Sequence, residues 1–225
     1  MEMLFAWLSV LTDTQSPQLP LPQVEAMYLR LSWGVVLAAM TVCMSDWMRT
    51  PTLVRRWLGL ILLLLCFLPG DISPAYWLGM AFRAPSLLFT GVALHYLTLN
   101  LKAPRAGGQP MGLTVPTMAV LVVLGWVLAL DTFAVWPLSL WSWGFAPLTV
   151  MGLLLMSLMP WWMSRGSGGW LPWAPVVLFL GYALFRLPDG NVWSVVSDPW
   201  FWVWLHVMLL RRWAATLSRT ARTAG

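Results

Sequence analysis

Residues 50–71, TPTLVRRWLGLILLLLCFLPGD, decide how the rest of the chain is read. Thr50-Pro51 has the form of a helix start: a hydroxyl N-cap, then proline at the first helical position, where its missing N–H costs nothing. From Leu58 to Leu68 there is no charge at all, and Pro69-Gly70-Asp71 then forces a tight turn. Arg55 and Arg56 mark one end of this run and Asp71 the other. A run of spanning length with cations at one end reads as a transmembrane helix whose basic end faces the cytoplasm.

The composition extends that reading to the whole chain. Of 225 residues, 60% are apolar and only 9% charged, whereas soluble domains carry about 25% charged residues. The chain has too few charges to cover a water-facing surface. This excludes a cytosolic enzyme, a secreted disulfide scaffold and a nucleic-acid-binding domain, and the expected partner is the lipid bilayer. Net charge is +5, but the placement of the cations is more telling than their sum.

The expected fold class is an all-α polytopic bundle of seven transmembrane spans. Residues 1–25 form an extracytoplasmic segment, with an apolar stretch at 3–11 that suits a short interfacial helix and a Pro/Gln linker after it. No basic residue precedes Arg30, so the start lacks the n-region of a signal peptide. The spans, within a domain 26–217, are 26–47, 51–68, 74–99, 112–130, 138–162, 170–187 and 199–217, with a cytoplasmic tail at 218–225. The third is long: 26 residues reach roughly 39 Å, so tilt or a kink at Pro85 is expected. Asp198-Pro199 has the form of an N-cap and first residue of the seventh.

Charge sorts by side on this map. With the N-terminus outside, Arg49, Arg55, Arg56, Lys102, Arg105, Arg165, Arg211, Arg212, Arg219 and Arg222 fall inside. The outer side receives Glu2, Asp13, Glu25, Asp71, Asp131, Asp189 and Asp198, leaving Asp46 inside. A wrong span count would break the alternation midway. The 18 tryptophans gather toward the two boundaries, as aromatic belts do; Trp141, Trp143, Trp200 and Trp204 could alternatively line an aromatic pocket at the outer mouth. The Arg-rich, Lys-poor composition suits a bacterial inner membrane.

Three arginines break the pattern. Arg30 and Arg186 lie near span ends and can snorkel. Arg83 lies nine residues into the third span, where an unpartnered charge costs at least ~2.5 kcal/mol. Tyr76, Gly79, Arg83, Ser86 and Thr90 recur at spacings of three and four, a small or polar stripe that would face other helices or a cavity. Two readings stand. Arg83 pairs with Glu25, Asp131 or Asp198 and holds the bundle together, or, with Tyr76, Ser86 and Thr90, it binds an anion or lipid headgroup from an outer cavity.

His95 and His206, five residues before Asn100 and Arg211, sit at similar expected depth. Facing each other they would suit a b-type haem or a quinone, and otherwise each makes an interhelical hydrogen bond. Met156, Met159 and Met163, and Met40, Cys43, Met44 and Met48, form sulfur-rich helix faces that would suit Cu(I) but more often are packing. Cys43 and Cys66 are expected near opposite membrane faces, out of reach for a disulfide.

A phosphate-binding glycine loop, a zinc motif and a nucleophile elbow are all absent from the sequence. The span count resembles that of the retinal proteins, but the lone lysine, Lys102, lies in an inner loop. The expectation is therefore a non-enzymatic accessory or assembly subunit packed against other membrane subunits. The alternatives are a small transport or anion-binding protein centred on Arg83, and a haem- or quinone-binding electron carrier centred on His95 and His206.

Overall fold

The structure, a computed structural model, describes residues 9–15, 18–48, 50–102, 113–135, 138–163 and 171–223. Among them the regular structure is all helical: α1 Pro22–Trp47, α2 Thr52–Leu65, α3 Pro74–Phe82, α4 Leu87–Lys102, α5 Val115–Thr132, α6 Leu140–Trp143, α7 Pro147–Met163, α8 Ala174–Phe185 and α9 Pro199–Thr223. Short 3-10 turns occupy Gly70–Ile72, Leu171–Trp173 and Val192–Val195. Residues 3–8 of the expected interfacial helix lie outside the described residues, as do Arg49, Arg105, Trp136, Arg165 and Trp170; residues 9–12 are helical. Pro22–Ser45 and Val115–Thr132 are long and apolar enough to cross a membrane; Leu87–Asn100, Pro147–Pro160 and Ala174–Phe185 are apolar but shorter.

The chain divides into two compact units, residues 1–111 with 142–196, and residues 112–141 with 197–225. In the first unit α1 is the hub, packing on α2, α3 and α4, while α7 packs on α8. The α1–α2 contact is close because glycines lie at the crossing. A Cβ on Gly34 would meet the Leu63 carbonyl at 3.3 Å, and one on Gly59 would meet Val42 at 3.3 Å. Small residues at a crossing let two apolar helices approach closely. A second cluster, Val150, Tyr182, Val192 and Val195, joins α7, α8 and the 192–195 turn.

Several expected elements differ. Thr50 does not cap α2; its hydroxyl donates to the Ser45 carbonyl at 3.0 Å, and Pro51 takes the cap position. Arg55 is buried, donating to the Thr50 carbonyl at 3.3 Å, whereas Arg56 is exposed. The expected span 74–99 is two helices with a break at Arg83–Ser86, not one kinked helix. Pro85 removes an N–H and pushes Ala84 out of the helical region, so the chain stops instead of bending.

The expected span 138–162 is likewise interrupted between Trp143 and Pro147. Gly144 there has no Cβ because the Asn191 side chain occupies its position, and Pro147 disfavours helix at Ala146. The expected span 170–187 opens with a 3-10 turn and closes two residues earlier, where Arg186 turns left-handed (φ 58°). Helix α9 runs on through the expected boundary at 217 to Thr223.

In the second unit α5 packs on α9. The expected Asp198 cap forms: its Oδ1 accepts from the Trp200 and Phe201 N–H groups at 2.9 and 3.0 Å. Asp131, expected to end a span, is buried, and its two carboxylate oxygens accept from the Leu140 and Trp141 N–H groups at 2.9 and 2.7 Å. It therefore caps the start of α6.

Candidate functional site

The break between α3 and α4 holds an unusual piece of backbone in the first unit. Phe82 ends α3, and Arg83 follows with φ 60° and ψ −162°. That region is open almost solely to glycine and costs another residue about 1–3 kcal/mol. Ser86 then restarts the helix, its Oγ accepting from the Phe89 N–H at 3.0 Å. Breaking a helix frees carbonyls, and inside an apolar bundle each needs a donor. Two come from α1: the Trp33 indole donates to the Arg83 carbonyl at 2.8 Å, and the Tyr28 hydroxyl to the Pro85 carbonyl at 2.7 Å. Tyr28 also lies 3.2 Å from the Thr90 hydroxyl.

The stripe read from spacing is thus divided. Ser86 and Thr90 belong to the α1 contact, and a Cβ on Gly79 would meet Leu29 at 2.7 Å. Tyr76 is exposed, its ring edge-on to Trp77 at 5.4 Å. The Arg83 side chain is exposed too, so the strained residue turns its carbonyl inward and its charge outward. Of the carboxylates weighed as its partner, Asp131 and Asp198 each cap a helix start of their own.

His206, in the second unit, has both ring nitrogens engaged. Trp126 Nε1 donates to its Nε2 at 3.3 Å, so Nε2 is the acceptor and Nδ1 carries the proton given to the Trp202 carbonyl at 2.8 Å. Trp202 stacks edge-on to both His206 and Trp126, at 4.4 and 4.9 Å between ring centroids. Its indole fills the space where a Cβ on Gly125 would be, and its Nε1 donates to the Val122 carbonyl at 3.1 Å. Iron ligation through Nε2 would require Trp126 to let go. His95, in the first unit, is half-buried on α4 beside the buried Tyr96 and Leu97.

Of the sulfur-rich faces, Met40, Cys43, Met44 and Met48 are exposed, as are Met156 and Met159. Among the described residues no three His, Cys, Asp or Glu side chains are grouped to hold a metal ion. Trp33, Tyr28 and Trp126 were not singled out by sequence. Pro85 signals freed carbonyls, but Trp33 and Tyr28 lie 50 or more positions from the groups they serve, so spacing could not point to them. Comparison of the chain with family models, with curated proteins and with solved structures finds no match.

Proposed function

We propose that this chain is a multi-pass protein of a bacterial cytoplasmic membrane, serving there as a non-enzymatic accessory or assembly subunit of a larger membrane complex. The observation that carries the reading is the direction of its side chains. Met44, Leu60, Leu64 and Leu155 in the first unit, and Val120, Val123, Val203 and Val207 in the second, are exposed along helix faces. Ser32, Ser45, Ser73, Ser86, Asn191 and Asp198 are buried. Apolar surface of that extent has lipid or a partner helix as its ordinary neighbour.

The seven-span reading, N-terminus outside, keeps the interrupted segments as single crossings. It is supported by the hydrogen bond from Arg186 to Gln18, since six crossings separate those residues and an even number returns the chain to the same side. Reporter fusions at Gly107, Asp131 and the C-terminus test it: Asp131 alone reports outside, and a cytoplasmic signal there overturns the orientation. Purification from native membranes tests the role. A second chain at fixed stoichiometry is expected, and a monomer with no co-purifying chain overturns the accessory reading.

One observation favours a second reading, in which Arg83 binds an anion or lipid headgroup. An arginine holds a backbone position suited to glycine, and its side chain is exposed at the break that follows α3. Native mass spectrometry after reconstitution with phosphatidylglycerol tests this. Arg83→Gln should lose most of the retained lipid, and equal retention overturns it. The electron-carrier reading draws no support from His206, whose nitrogens are both committed; a Soret band from protein expressed with ample haem would revive it.

A further inference from the structure

The first unit holds the stretch before α1 in an unexpected way. Residue Gln18 lies in the Pro/Gln linker, yet its Oε1 accepts a 2.6 Å hydrogen bond from Arg186 Nη2, across 168 positions of sequence. The guanidinium is steadied from behind, lying 5.5 Å from the Tyr182 ring centroid. Next along the chain, Gly190 (φ 85°) forms the seat. A Cβ there would meet the Gln18 carbonyl at 2.8 Å and Leu19 Cα at 3.5 Å, so backbone rests on backbone. Pro20 is buried, although Gln18 and Leu19 are exposed.

Beneath this seat lies a connected polar network. The Tyr182 hydroxyl, fully buried, donates to the Gly190 carbonyl at 2.5 Å. Asp189 accepts from the Asn191 N–H at 3.1 Å and from the Ser194 hydroxyl at 2.8 Å. Asn191, also buried, accepts from the Trp193 N–H at 2.9 Å, and the Val192 N–H donates to the Gly144 carbonyl at 3.0 Å. Buried polar networks are stable only while every member is satisfied and water is kept out.

We infer that residues 18–20 are a strap, latched by Arg186 on Gln18 and seated on Gly190, which seals the 186–196 loop. One charge-assisted hydrogen bond is the latch, so it opens far more easily than the helices beneath it. Asp189 is half-buried, so release of the strap chiefly exposes the buried Asn191 and Ser194 to water while the helices stay packed. The strap thus makes the solvation of this loop depend on the segment that precedes α1.

Hydrogen exchange on the full chain in nanodiscs tests the strap with two substitutions of opposite sign. Gln18→Ala removes the acceptor and should speed exchange of peptides covering 18–21 and 187–197 by about three- to tenfold. Gln18→Glu faces Arg186 with a carboxylate and should slow both. Peptides from α5 and α9 serve as the internal control and should not move. Unchanged exchange at 18–21 in both variants overturns the latch. Faster exchange at 18–21 with 187–197 unchanged overturns the seal.

Discussion

The α3–α4 break and the α5–α9 pair solve the same problem in opposite ways. Both must satisfy polar groups within a mostly apolar framework. In the first unit the backbone is irregular, and its freed carbonyls at Arg83 and Pro85 are met by Trp33 and Tyr28 from a regular neighbour. In the second the helices are regular, and the polar atoms that need partners are on side chains: Trp126, Trp202 and His206 satisfy one another or a helix carbonyl. The first arrangement stores strain at Arg83, whereas the second depends on tight fit at Gly125.

The difference can be broken at its tightest point first. Gly125→Leu drives a branched side chain into the Trp202 indole and should lower stability by about 3 kcal/mol or more, read as a fall in melting temperature in detergent. Arg83→Gly should do the reverse, raising stability by about 1–3 kcal/mol because glycine holds that backbone without strain. A destabilised Arg83→Gly protein would mean that the side chain, not the break, is what matters structurally.

Smaller effects sharpen the comparison. Tyr28→Phe leaves the Pro85 carbonyl buried without its donor and should cost about 1–3 kcal/mol, with α1 and α4 losing exchange protection together. Weakest of all, His206→Phe keeps the ring stack and removes the acceptor of a partly exposed indole and the ring N–H given to the Trp202 carbonyl, a loss of about 0.5–1.5 kcal/mol. If the His206 effect exceeds that of Tyr28, the contrast between the two regions fails.

Part of this was readable from residue order. Asp198-Pro199 caps α9 as its chemistry requires, because an N-cap is settled within three residues. Thr50-Pro51 has equally good local chemistry, yet Thr50 turns back to Ser45, since the preceding helix offers a carbonyl. Pro85 announced a disturbance in the third segment, but whether proline bends or breaks a helix depends on donors elsewhere. Here Trp33 and Tyr28, more than 50 positions away, make the break tolerable.

By itself the amino-acid sequence determined the helical class, the shortage of charge for a water-facing surface, and the cap at Asp198. Those follow from composition and from forces acting over a few residues. Tertiary structure decided which helices are interrupted, that Asp131 caps α6, that His206 is held as the Nδ1–H tautomer, and that Gln18 is tied to Arg186. Each of these is a contact between distant residues. A lone side chain or a freed carbonyl has no preferred partner until packing brings one within about 3 Å.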